Sequence, residues 1–285
     1  MANTPDIEIL RDIEYANRDG LSLTGDLYRP AGAKNCPVVI AVHGGGWQTG
    51  TPKNYGPRGN LLVANGFALF AITYRLSRPG KPSFPDAPKD VRAAIQYVRH
   101  NAASLGIDPD RIALSGGSAG GHLAALTGLA AETPLLAEPA SAAPYAHVSA
   151  SVKAVISFYG VYDMAAQWDH DLVDRVGDNI TEKFLGSPLT ENRRLYQDAS
   201  PLTYAIRAHN AVSFLLIHGT EDDIVDRSQT DIFLRALKQA GFFARKLIVQ
   251  GAGHFFETDP LDEPNSRSLE VSGPMLRFLR DRLAA

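Results

Sequence analysis

The stretch Gly116-Gly117-Ser118-Ala119-Gly120-Gly121-His122 constrains the fold of this chain more than any other segment. It reads Gly-x-Ser-x-Gly and follows Arg111-Ile112-Ala113-Leu114-Ser115, a short run with the character of a buried strand. Behind it, Leu123, Ala124, Ala125, Leu126 and Leu129 recur at helical spacing. A strand that turns straight into a helix through a serine leaves almost no room beside it, so its neighbours must be nearly free of side chain. The serine is forced into a strained backbone conformation that lifts its hydroxyl above the sheet edge. A Gly-rich turn alone says little. With the strand before it and the helix after it, Ser118 is a candidate nucleophile.

The rest of the chain alternates. Residues 7–17 and 21–30 read as strands joined at Arg18-Asp19-Gly20, and 37–42 and 68–74 are apolar, β-branched runs typical of strands buried on both faces. Further strands are expected at 111–115, 152–159, 213–217 and 245–249. A weak helical signal lies at 57–65. Asp86 is the expected N-cap of a helix reaching about residue 104, with Val91, Ala94, Ile95 and Val98 on one face. Ser228-x-x-Asp231 has the form of a capping box for a helix over 229–240, and Leu276, Leu279 and Leu283 mark a last helix. Strands alternating with helices predict an α/β fold: a mostly parallel, eight-stranded sheet with helices on both faces, in a single domain over 1–285. Two regions break the rhythm. Residues 132–150, rich in Ala, Pro and Ser, are expected as an exposed connection. Residues 161–210 carry aromatics without a strand signal and read as a small cap or lid, or as an excursion packed on the sheet edge.

A serine hydroxyl needs a histidine to take its proton and a carboxylate to hold that histidine's tautomer. His254 in Gly251-Ala252-Gly253-His254 follows the strand Lys246–Gln250, where a base reaching back to Ser118 belongs. One strand earlier, the chain after Phe214–Ile217 offers Glu221, Asp222, Asp223 and Asp226. Asp222 is preferred, because Gly219-Thr220 can set it at a loop tip before Ile224-Val225 return to the core. Asp223 and Asp226 stand behind it and Glu221 last, while His218 is expected to bond to backbone. Acyl transfer also needs donors for an oxyanion, each worth about 10²–10³ in rate. Gly44, Gly45 and Gly46 follow the strand 37–42 and leave their N–H groups bare, so Gly45, Gly46 and Ala119 are the expected donors, with His43 bracing the loop. The phosphate-loop reading fails for want of a following Gly-Lys-Ser/Thr.

Composition narrows the partners. Net charge of −3 gives no case for nucleic acid or an anionic membrane, and no apolar run reaches transmembrane length. The single Cys36 excludes an intrachain disulfide and a cysteine-based zinc site. Met1 to Glu8 lack the basic start and apolar core of a signal peptide, so a cytoplasmic protein is expected.

These motifs together resemble the α/β-hydrolase esterases that carry an HGGGW motif, the hormone-sensitive-lipase-like group, and most of all its bifunctional feruloyl and acetyl xylan esterase type. The resemblance runs from the strand at 21–30 to about Phe256. It rests on His43-Gly44-Gly45-Gly46-Trp47, Tyr74-Arg75-Leu76 with Phe84–Asp90, Ile107–Ile112, residues 116–124, Ala199–Leu202, His218–Asp222 and Gly251–His254. Carried over by position, it implies Ser118 as nucleophile, Asp222 as orienting acid, His254 as base, and Gly45, Gly46 and Ala119 as oxyanion donors. It implies a carboxylic-ester hydrolase acting on small-molecule esters, without cofactor or metal. The sequence departs at Gly117, where many relatives carry Asp or Glu, and in a short N-terminal part, so any cap comes mainly from 161–210. Trp47, Trp168 and Phe255 are the expected pocket walls, favouring short or aromatic acyl groups. Beside this reading stand an amide hydrolase like kynurenine formamidase, a non-catalytic ligand-binding member of the fold, and a metal site on Asp169, His170, Asp171 and Asp174. The oligomeric state is open, a dimer included.

Overall fold

The computed structural model describes residues 6–139 and 143–284. Its strands are β1 (Ile7–Arg18), β2 (Leu21–Pro30), β3 (Cys36–Val42), β4 (Ala68–Ile72), β5 (Ile107–Gly117), β6 (Ala154–Phe158), β7 (Ser213–Gly219) and β8 (Ala244–Val249). They pair in the order β1-β2-β4-β3-β5-β6-β7-β8. β2 runs antiparallel to both β1 and β4; all other pairs are parallel. The helices are α1 (Gly56–Ala64), α2 (Asp86–His100), α3 (Ala102–Leu105), α4 (Ala119–Ala130), α5 (Met164–Asp174), α6 (Ile180–Leu185), α7 (Arg193–Ala199), α8 (Ser228–Gln239) and α9 (Arg267–Arg282).

Alternation along a strand divides the core into two layers. In β3, Val38, Ile40 and Val42 pack on one face with Val91 and Ile95 of α2, Leu123 and Leu126 of α4, and Phe233 of α8. Val39 and Ala41 pack on the other with Leu62 and Val63 of α1 and Val271, Met275 and Leu279 of α9. With helices on both faces, β4 and β6 are buried at every position, which is why their sequences are apolar but for Ser157, whose hydroxyl accepts from Tyr162 Oη at 2.8 Å. Among the described residues no helix is long and apolar enough to cross a membrane.

The eight strands stand where the sequence placed them, but several boundaries differ. β5 starts at Ile107 rather than 111, because the polar Asp108-Pro109-Asp110-Arg111 continues the strand at the sheet's lower end. Asp86 is the first residue of α2 and not its cap; Pro85 holds that place, and Asp86 pairs with Arg75 at 3.0 Å. The helix ends at His100, α3 follows separately, and Gly106 closes it in the left-handed region with φ 68°. The capping box at Ser228 does not form: Asp226 Oδ1 accepts the Ser228 N–H at 2.7 Å instead. In 132–150, Leu136, Ala143 and Ala150 are buried, so this connection is not simply exposed; its residues 140–142 lie outside the described ones, as do Met1–Pro5 of the segment read for a signal peptide.

Residues 161–210 hold α5, α6 and α7, capped by the side chains of Asp163, Asn179 and Asn192. Met164, Ile180, Phe184, Leu185 and Tyr196 join the same core layer as β3 and α4. The segment is thus packed into the body of the molecule, over the end of the sheet from which the elbow projects.

Candidate active site

Ser118 sits between β5 and α4 with φ 55° and ψ −122°. That conformation costs a non-glycine residue about 1–3 kcal/mol and persists only where its surroundings enforce it. The Ser118 N–H donates to Phe158 O at the end of β6, and its carbonyl accepts from His122 N, each at 2.9 Å. A Cβ on Gly116 or Gly120 would come within 2.5 and 2.0 Å of Val42 O, so the end of β3 dictates both glycines. The side chain is thereby fixed at the carboxyl edge of the sheet.

Asp222 and His254 reach that edge from the loops after β7 and β8. His254 Nδ1 lies 2.9 and 2.8 Å from the two Asp222 oxygens, and both side chains are almost wholly buried. Asp222 Oδ1 also accepts the N–H groups of Ile224 and Val225 at 3.0 Å each. His218 Nε2 is 3.3 Å from Asp222 Oδ2, 2.9 Å from Val225 O, and its Nδ1 is 2.8 Å from Thr230 Oγ1. Burial opposes a charge on Asp222, yet hydrogen bonds with His218 and His254 hold its carboxyl well below the usual carboxylate range. It is an anion, and it fixes a proton on His254 Nδ1. Nε2, the nitrogen on the far side of the ring, has no hydrogen-bond partner among the described residues. Glu221, Asp223 and Asp226 are exposed and do not approach His254 in this way. Tyr159, just past β6, links the two halves. Its ring centroid is 4.4 Å from that of His254, and a side chain on Gly117 would meet its hydroxyl at 3.0 Å.

The glycine loop after β3 closes on the serine from the other side. A Cβ on Gly44 would be 2.8 Å from Gly117 O and 3.4 Å from Ser118 Cβ. Gly45 takes φ 112°, open only to glycine, and its carbonyl accepts from Gln48 and Thr49 to form a tight turn. The N–H groups of Gly45, Gly46 and Ala119 donate no hydrogen bond among the described residues. His43 braces this loop as expected: it stacks on Tyr74 at 4.4 Å, and Tyr74 donates to its carbonyl at 2.9 Å.

Beside Ser118 lies a cavity of about 230 Å³ whose walls include Tyr55, Tyr159, Phe255 and Glu257. Phe255 lines it, 57% exposed, its ring centroid 4.6 Å from that of His254. The two tryptophans are not walls of this cavity. Trp47 is buried beneath α6, stacked on Phe184 at 4.5 Å and donating to His122 Nδ1 at 3.1 Å. Trp168 joins α5 to α6 through a 2.7 Å bond from Nε1 to Glu182. Asp171 and Asp174 of α5 have partners of their own as well. Asp171 is buried and accepts from Gln167 at 2.9 Å, while His170 pairs with Asp174 at 3.4 Å. Among the described residues no group of three or more His, Cys, Asp or Glu could hold a metal ion. Tyr159 and Glu257 escaped the sequence reading. The signal for Glu257 was an acid set among phenylalanines three places after His254; burial pushes its carboxyl up to about 7.

The BD-FAE family profile matches residues 25–237. Esterase LipQ of Mycobacterium tuberculosis is 34% identical over 235 residues, which cover 81% of this chain and 53% of that protein. The chain spans about half the length of the curated relatives it matches. Among solved structures, Thermogutta terrifontis esterase 2 phosphoramylated by tabun superposes with a TM-score of 0.75 at 25% identity, covering 99% of this chain and 96% of that one. A truncated form of a carbohydrate esterase from gut microbiota gives a TM-score of 0.81 at 24% identity, covering 100% and 99%. The second likeness speaks for the fold alone.

Proposed function

The chain belongs to the BD-FAE family and has the α/β-hydrolase fold; from that premise we propose that it is a serine carboxylic-ester hydrolase acting on small-molecule esters. Ser118 Oγ attacks the ester carbonyl while His254 Nε2 takes its proton. Asp222 keeps the other ring proton on Nδ1 and stabilises the imidazolium that forms. The oxyanion is received by the N–H groups of Gly45, Gly46 and Ala119. Collapse expels the alcohol, which leaves with the proton held by His254. Water then attacks the acyl-enzyme by the same route and restores Ser118. The observation that carries this reading is the Asp222–His254 pair, with Nδ1 engaged at 2.8 Å and Nε2 without a partner among the described residues, at the same sheet edge as a serine held at φ 55°. The small cavity with Phe255 at its rim supports short or aromatic acyl groups. A structural relative is an esterase that tabun phosphoramylates, which fits an activated nucleophile in this fold.

The test is hydrolysis of p-nitrophenyl acetate and butyrate by Ser118→Ala and Asp222→Asn. Ser118→Ala should be almost inactive, and Asp222→Asn should lose on the order of 10⁴ in kcat. Activity near that of the unmodified enzyme in either variant overturns the assignment.

A further inference from the structure

Glu257 brings a carboxyl group to the cavity beside Ser118 and is 7% exposed. A Cβ on Gly117 would lie 2.2 Å from Glu257 Oε2, so this acid abuts the elbow one residue before the serine. Three neighbours carrying titratable groups face it. Tyr55, in the turn before α1, gives its hydroxyl proton to Val42 O at 3.0 Å and leaves its oxygen a long 3.5 Å from Oε1. Arg58 of α1 turns its guanidinium to the Glu257 main-chain oxygen and to Ser268 Oγ, both at 2.8 Å, rather than to the carboxyl. Tyr159 Oη receives the Glu257 N–H at 3.2 Å. A carboxyl can make several hydrogen bonds, and among the described residues this one has only that long contact. Burial raises it to about 7, so near neutrality it presents an O–H donor as well as an acceptor. A buried group left short of partners at the wall of a reaction cavity is satisfied by what enters that cavity.

We propose that Glu257 is a specificity-determining residue, whose carboxyl hydrogen-bonds an oxygen substituent of the ester held at Ser118. The enzyme then prefers esters with a hydroxyl or ether oxygen a carbon or two from the scissile bond over plain alkyl esters. This rests on the serine-esterase reading.

The experiment compares kcat/KM within pairs of matched shape: 2-methoxyethyl against n-butyl acetate for the alcohol side, and ethyl methoxyacetate against ethyl butyrate for the acyl side. Taking each oxygenated-to-alkyl ratio in a variant relative to wild type cancels intrinsic reactivity. In at least one pair the ratio should fall about tenfold in Glu257→Leu, the loss of one hydrogen bond. An ether only accepts, so the wild-type ratio should also decline as pH rises through about 7 and Glu257 loses its proton. In Glu257→Gln, which cannot ionise, the ratio should stay level between about pH 5.5 and 8.5. This second comparison decides the matter if Glu257→Leu fails to fold. Wild-type ratios that are flat with pH and unchanged in the variants overturn the proposal while leaving the esterase intact. An enzyme that cleaves none of these esters and takes no fluorophosphonate label at Ser118 removes the esterase reading, and this inference with it.

Discussion

Ser118 and Glu257 each hold a conformation or charge state that the isolated residue would avoid, and both do so at the same cavity wall. For Glu257 the consequence is a pH-dependent stability. Its carboxyl rises from 4.5 to about 7 on burial. The folded chain therefore binds this proton more tightly than the unfolded one. That contribution is complete below about 4.5 and is lost as pH climbs through 7. At pH 8 the fold carries a buried carboxylate, at a cost of up to about 3 kcal/mol. Glu257→Gln avoids that cost, so its Tm relative to wild type should rise on going from pH 5 to pH 8 in thermal denaturation. An equal difference at both pH values would show that the carboxyl does not titrate in this way. The sequence could point to Ser118 and His254 because local rules mark them: glycines crowd one, and a strand end precedes the other. The local mark on Glu257, an acid next to two phenylalanines, does not give its charge state, because its surroundings come from Tyr55 and Gly117, distant in the chain.

At the scale of elements, the glycine loop after β3 separates two demands that its sequence merges. Gly45 has φ 112°, and its Cβ would fall 2.3 Å from Thr49 O. Gly46 has φ 58°, a left-handed value its neighbour Trp47 also adopts at 59°, and its Cβ would meet nothing nearer than 3.7 Å. Gly45→Ala must therefore distort the turn that aims the N–H groups, and kcat should drop about 10²–10³ with a smaller change in KM. Gly46→Ala keeps its N–H and should lose less than about tenfold, the strain of one left-handed residue being about 1–2 kcal/mol. Similar kinetics for the two variants would refute this division of roles. The same turn explains the misplacement of Trp47. Proximity to the glycines put it in the cavity, but the chain reverses at Gly45–Thr49 and sends the indole down onto Phe184. Unlike the polar start of β5, the central strands β3, β4 and β6 were legible, because burial on both faces makes them largely apolar. Helix starts were less so: an acid near a start can cap, as Asp163 does, or turn to an arginine, as Asp86 does, and only tertiary contacts decide.

Across the whole molecule, Gly45, Ser118, Tyr159, Asp222 and His254 leave the carboxyl ends of β3, β5, β6, β7 and β8 in turn. The parallel sheet is what gathers them, and 161–210 is packed onto the same end. Its Phe184 is fully buried, stacked on Trp47 and edge-on to His122 and Phe84. Tyr162 stacks on Phe233 of α8 at 4.3 Å, so the segment is keyed to the sheet's helices at two separate places. We expect it to unfold with the sheet rather than ahead of it. Both tryptophans report on this contact, Trp47 from the sheet side and Trp168 through Glu182 of α6. In urea, tryptophan fluorescence, far-ultraviolet circular dichroism and ester hydrolysis should therefore change with one midpoint. A fluorescence transition at lower urea than the dichroism transition would mean that 161–210 undocks on its own, as a lid does. Phe184→Ala sharpens the comparison. It removes about 3–5 kcal/mol of packing at the junction. If the two parts share one core, that loss moves all three midpoints together, because no part of the sheet can keep its upper layer once the junction opens.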